Sequence, residues 1–170
     1  IVDGIQIVRR GGFYTVYAWA ALYYLLKFKR QYDVIVDSEN GVPFFSPLFS
    51  TKPVVLLAHH VNQQIFLDHL PFPRAQFARF IEAKVMPFLY RNAPFVTVSE
   101  SSKQELIKTN IAKVEQIQIV NPGIEAPIVN YKKTKHPTII YFGRLKPYKN
   151  IDIAIRAFAQ ILPKFPKAQL

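Results

Sequence analysis

Five short runs of apolar, mostly β-branched or aromatic residues punctuate the chain: Val34–Asp37, Val54–Ala58, Phe95–Val98, Ile117–Val120 and Thr138–Phe142. Most are continuous rather than alternating, the pattern of strands covered on both faces of a parallel sheet. Stretches with helical spacing lie between several of them. Phe77, Phe80, Ile81, Val85, Phe88 and Leu89 step along one face, with Arg79, Glu82 and Lys84 off it, which predicts a helix packed through its aromatic side. Ser101 with Gln104 and Ser102 with Glu105 offer two overlapping capping boxes for a helix through Ile107, and Ser99, Glu100 and Ser101 read first as a helix cap. Ile151, Ile155, Phe158 and Leu162 mark a last amphipathic helix with Asn150 as its N-cap. Strands alternating with helices predict an α/β fold built from βαβ units.

Two segments need separate treatment. Phe13–Leu26 is nearly all apolar and runs into Lys27-Phe28-Lys29-Arg30. It is too short to span a bilayer, which takes about 20 residues, so a buried helix with a basic last turn is expected first and an interfacial membrane helix second. Residues 122–137 contain three prolines and three lysines with no period, and read as an interdomain linker. The expected organisation is a first domain over 1–121, a linker over 122–137, and the first βα unit of a second domain over 138–170. The chain opens on Ile1 without Met and closes on Lys167-Ala168-Gln169-Leu170, which reads as the lead-in to another strand. An interior piece of a larger protein is therefore expected.

Composition narrows the chemistry. Half of the 170 residues are apolar and 14% aromatic, which excludes disordered and fibrous classes. The absence of cysteine excludes disulfide scaffolds, thiolate metal sites and cysteine nucleophiles. Twenty-two basic against 11 acidic residues give +11, which favours an anionic partner. The charge is uneven. Residues 1–52, 53–95 and 96–137 each net +2, whereas 138–170 hold 6 basic and 1 acidic residue, or +5. Arg144, Lys146 and Lys149 of that group lie in one loop.

That loop, Gly143-Arg144-Leu145-Lys146-Pro147-Tyr148-Lys149-Asn150, joins a strand signal to a helix signal. Gly143 permits a sharp exit from the strand. Open α/β sheets bind ligands at the carboxyl ends of their strands, and the helix N-terminus directs its positive end the same way. Arg144 offers a bidentate fork and Lys149 a point charge, a combination suited to a diphosphate.

The segment YFGRLKPYKNIDIAIRAF resembles the diphosphate-binding motif that opens the second domain of group 1 glycosyltransferases of the GT-B fold. FVTVSESSKQEL resembles the last strand and helix start of their first domain, and IQIVNPGIE the entry to their interdomain linker. YDVIVDSENGVPFFSPLF followed by PVVLLAHH resembles two consecutive first-domain strands, the second ending in the family's histidine. The resemblance extends over most of residues 32–170. It implies two Rossmann-like domains with parallel sheets, both incomplete here, and transfer of a hexose from a nucleotide diphosphate sugar to an acceptor hydroxyl. Retention of configuration and metal independence are implied with it. Arg144 and Lys149 would hold the donor diphosphate, with Gly143 and Asn150 in the same loop, and stabilise the departing nucleoside diphosphate. His59 aligns best with the family's histidine, which approaches the reacting sugar. His60 is one position off, and opposite-facing strand residues would leave only one of the two in the cleft. Glu39, Asn40 and His60 are candidate acceptor contacts. The acceptor would be a glycan or a lipid-linked molecule, with no cofactor beyond the donor substrate. The location implied is cytoplasmic, peripheral on the inner face of the membrane.

The family's glycine-rich loop would lie before Ile1 and its paired glutamates beyond Leu170, so these residues alone are expected to catalyse little or nothing. Asp37 and Glu39, at i, i+2, could share a face like paired glycosidase carboxylates, but are expected in a loop rimming the cleft. His59, His60 and His69 do not suggest a metal, since adjacent histidines rarely chelate one ion. No Walker loop, dinucleotide fingerprint or serine-hydrolase elbow occurs. The competing readings are a basic nucleic-acid-binding module and a membrane-surface module acting through Arg74, Arg79, Lys84 and Arg91. The first is disfavoured because the aromatics lie within apolar runs rather than alternating with Lys and Arg, so no nucleic-acid partner is expected.

Overall fold

Four of the five apolar runs form strands, and they lie side by side in a parallel sheet in the order β1-β2-β3-β4: β1 Ile35–Glu39, β2 Val54–Ala58, β3 Phe95–Thr97 and β4 Ile117–Ile119. The computed structural model describes residues 3–124 and 132–170, and the chain divides into two units, Ile1–Gly123 and Ile124–Leu170. Of the stretch 122–137 expected as a linker, residues 125–131 lie outside the described residues.

In the first unit the register aligns two inward rows across the sheet. Asp37, Leu56, Phe95 and Ile117 form one; Glu39, Ala58, Thr97 and Ile119 form the other. Leu56 and Phe95 lie at the centre of a core completed by Val61, Met86, Tyr90, Leu106 and Ile111. Burial of an apolar side chain of this size contributes roughly 1.5–3 kcal/mol. The opposite face is open: Val36 is 62% exposed, Ser38 and Gln118 face solvent, and Val55, Leu57 and Val96 are half-buried. Cover on both faces, expected from the apolar runs, is therefore not observed among the described residues. The strands follow one another in spatial order, and right-handed crossovers then deliver each connecting helix to the same side.

Those helices are α2 Gln63–His69, α3 Arg74–Phe80, continued by a π-helical turn Ile81–Val85 into α4 Met86–Leu89, and α5 Glu100–Lys108. The helical stretch 74–89 presents a different face from the one its aromatics suggest. Ala75, Ala78, Glu82 and Met86 are buried, whereas Phe77, Phe80 and Phe88 are 55–66% exposed. Pro87 cannot donate to the carbonyl of Ala83, and its ring crowds that carbonyl. The wider π turn immediately before it accommodates the ring, and Glu82, Met86 and Tyr90 all end on the inward side.

Helix α5 begins two to three residues earlier than the capping boxes suggest, within the cap expected over Ser99–Ser101. Ser99 is its N-cap and accepts from the Ser102 amide at 3.2 Å. Helix α1, Val16–Tyr23, extends by a π turn through Phe28 but is not buried as expected. It touches the β1–β2 connection through Tyr17 against Phe44 and Tyr24 against Phe49, and Tyr24 alone is buried along its length.

Among its described residues the second unit carries the α-helix α6 Ile151–Ile161 and a short 3₁₀ turn before it. Thr138–Phe142 does not form the expected strand. Thr138 alone bridges, in parallel, to Gln169, and the Ile139 amide donates to the Gln169 carbonyl at 2.9 Å. Beyond that bridge Ile140–Phe142 has no neighbouring strand among the described residues, and Phe142 is 99% exposed. Extended backbone without a paired neighbour has no ladder to hold it as a strand.

Candidate functional site

A parallel sheet places all its carboxyl ends along one edge, and in the first unit that edge gathers Glu39 as the last residue of β1, Asn40 just after it, and His59 and His60 after β2. Both histidines stand beyond the last strand residue, Ala58, and both are exposed. Strand alternation therefore does not choose between them. Their main chain is tied down instead. The Ser102 hydroxyl donates to the His59 carbonyl at 2.8 Å, and the Asn62 side-chain amide donates to the His60 carbonyl at 3.3 Å. The Val61 amide donates to Glu105 at 3.4 Å. An open groove of about 720 Å³ runs past His60 along Ser101, Gln104, Glu105 and Lys108 of α5.

Beneath the histidines lies a buried acidic network. Glu39 Oε1 accepts from the Gly41 amide at 2.6 Å and from Asn62 Nδ2 at 3.1 Å. Glu82 Oε1, from the inward side of the 74–89 helix, accepts from the Asn62 amide at 2.6 Å and from Nδ2 at 3.3 Å. Asn62 thus links both carboxyl groups to the turn that carries His60. Glu82 Oε2 is buried with no hydrogen-bond partner among the described residues. Burial raises the Glu39 carboxyl to about 7, the nearby Glu82 adds to the rise, and the bonds from Gly41 and Asn62 offset part of it. Glu82 is raised as well, again first by burial. Neighbouring carboxyl groups in so dry a place resist ionising together.

Asp37 and Glu39 belong to β1 and point inward, rather than lying in a loop at a cleft rim. Asp37 accepts from the Phe44 and Ser46 amides at 2.9 and 3.1 Å and from the Tyr90 hydroxyl. It is a brace for the β1–β2 connection. Glu39 is 1% exposed, so among the acceptor candidates only Asn40 and His60 meet solvent. From the sequence Asn62 is not singled out, Glu82 reads as lying off the packed helix face, and Ser102 reads as a capping residue. Their signal was faint: a glutamate in register with Ala75, Ala78 and Met86 is a polar group on a small-residue face.

In the second unit Gly143, Arg144, Lys149 and Asn150 lie in one exposed loop. The Tyr141 hydroxyl folds back to donate to the Arg144 carbonyl at 2.9 Å. It passes so close to Gly143 that a Cβ there would meet it at 2.9 Å. Pro147–Lys149 forms a 3₁₀ turn that ends at Asn150, whose left-handed backbone (φ 51°, ψ 40°) asparagine tolerates better than most residues. Asn150 precedes α6 as expected, but its side chain makes no cap bond. Its carbonyl accepts from the Ile153 and Ala154 amides. The side chain of a capping Asn normally reaches the first turn from an extended backbone, which this residue lacks. Asp152 in that first turn pairs with Arg156, leaving Arg144 as a cation of the loop outside that pair.

Among the described residues no group of three His, Asp or Glu side chains is placed to hold a metal ion. No helix among them is long and apolar enough to cross a membrane. Comparison with models of known protein families gives no match, and comparison with curated proteins gives none either.

Proposed function

We propose that the chain is the histidine-bearing part of the first domain, and the start of the second, of a GT-B glycosyltransferase. It would move a hexose from a nucleotide diphosphate sugar to a glycan or lipid-linked acceptor hydroxyl, on the cytoplasmic side and without a metal. The observation that carries the reading is the exposed basic loop Gly143–Asn150 running directly into the N-terminus of α6, taken with the sequence resemblance around it. Arg144 and Lys149 bind the donor diphosphate, and the first-turn amides of α6 add their partial positive charge. The acceptor oxygen bonds to the anomeric carbon as the bond to the diphosphate breaks with retention, and the acceptor proton passes to the departing phosphate. Charge develops on that phosphate, and preorganised cations there supply the largest share of the rate. His59 stands at the sugar, and Asn40 and His60 on the acceptor side.

The test is Arg144→Ala and Lys149→Ala in the protein that carries this chain, read by nucleoside diphosphate binding and by sugar transfer. Loss of each cation should lower turnover by about 10²–10³. Donor affinity and turnover that survive both changes would show that the diphosphate lies elsewhere.

A further inference from the structure

We propose that Asn62 positions the His60 turn, and that a proton held by the Glu39–Glu82 pair decides whether it does so. The inference rests on the bonds of the turn and not on the transferase reading. Asn62 Nδ2 carries two hydrogens and lies within bonding distance of three oxygens: Glu39 Oε1 at 3.1 Å, Glu82 Oε1 at 3.3 Å and the His60 carbonyl at 3.3 Å. One of the three is always short of a hydrogen. Glu82 Oε2 is buried with no hydrogen-bond partner among the described residues, and neither carboxyl group is more than 1% exposed. Charge on an oxygen so placed costs far more than a neutral group does. One proton on the pair relieves both problems, and burial, with Glu82 beside it, keeps the Glu39 carboxyl neutral up to about pH 7.

The groups that face the pair oppose a second charge. After burial and Glu82, Asp37 of β1 adds to the rise at Glu39; after burial, Glu105 of α5 adds to that at Glu82. Tyr17 of α1 is itself pushed up by burial and then by Glu39 and Asp37, so it stays neutral. The Gly41, Asn62 and Gln63 amides act the other way, and His59 and His60 stand exposed above. Once the proton is lost, two carboxylates compete for one NH₂ group. Hydrogen bonds to charged acceptors are roughly twice as strong as those to neutral ones, so both Nδ2 hydrogens go to Glu39 and Glu82 and the His60 carbonyl is released. The bond from the Val61 amide to Glu105, at 3.4 Å, is too long to hold the turn alone. His59 keeps its own anchor, the Ser102 hydroxyl at 2.8 Å. The turn therefore fixes His60 below neutral pH and frees it above, at the wall of the groove it shares with Gln104, Glu105 and Lys108.

NMR of the whole chain between about pH 5 and pH 9 tests this without donor or acceptor, so a failed transferase reading leaves the result standing. The Asn62 side-chain amide signals should move with a midpoint near 7. Above it the amide order parameters of His60 and Val61 should fall from about 0.85 toward about 0.6, while His59 keeps the rigid value. E39Q should hold the Asn62 signals still and keep His60 rigid at every pH. E82Q should shift the midpoint to lower pH, because Glu82 helps to raise Glu39. Both variants retain an oxygen for Asn62; if E39Q does not fold, E82Q decides. Order parameters at His60 and Val61 that do not change across the range would overturn the proposal. So would a loosening that persists in E39Q or keeps its midpoint in E82Q, which would belong to the His60 imidazole and not to the carboxyl pair.

Discussion

Replacing Glu39 by glutamine isolates the cost of a buried carboxylate. Glu39 is 1% exposed, and burial first, then the neighbouring Glu82, raise its carboxyl from 4.5 to about 7. Below pH 4.5 the group is neutral in both folded and unfolded chains and costs nothing. Between 4.5 and 7 the unfolded chain releases the proton and the folded chain keeps it, so stability falls as pH rises. The slope is about 1.4 kcal/mol per pH unit, and over that interval the loss comes to about 3 kcal/mol, constant above it. Glutamine keeps an oxygen for the Gly41 amide and Asn62 Nδ2 and never ionises. Thermal melts of both proteins across pH 4.5–8.5 should therefore diverge. E39Q should gain on the parent as pH rises, by roughly 6–12 °C at pH 8, and the gap should level off there. Melting temperatures that stay parallel across this range, whatever their offset, would refute the reasoning, because an offset without a pH slope means Glu39 does not titrate abnormally.

Two further substitutions test how the histidine edge is built. Ser99→Ala removes the side-chain cap of α5 and should cost about 1 kcal/mol in urea unfolding; Ser99→Gly should recover most of it, since glycine is tolerated at this position. Gly41→Ala should cost more than 1 kcal/mol, because Gly41 has φ 107°, a conformation that a residue with a Cβ rarely adopts, while the Cβ itself would make only an ordinary contact with the Phe66 ring at 3.4 Å. An alanine variant as stable as the parent would show that this turn relaxes freely.

The apolar runs at 54–58, 95–98 and 117–120 determined three parallel strands to within a residue or so, because dense β-branched and aromatic stretches of that length fit little else. The α/β class followed from their alternation with helices. Tertiary structure decided what such patterns leave open. The 74–89 segment has two stripes at helical spacing, one of phenylalanines and one of Ala75, Ala78, Glu82 and Met86. Hydrophobicity favoured the first. Close packing of α3 on α2, possible for alanines and not for rings, together with the π turn before Pro87, chose the second. The same choice buried Glu82 beside Glu39 and joined both to the His60 turn through Asn62, a juxtaposition of residues 20 and 23 positions apart that no local period records. Thr138–Phe142 shows the converse, a strand sequence without a strand. β-propensity expresses fit to a neighbour, and beyond the bridge at Thr138 this segment has none among the described residues.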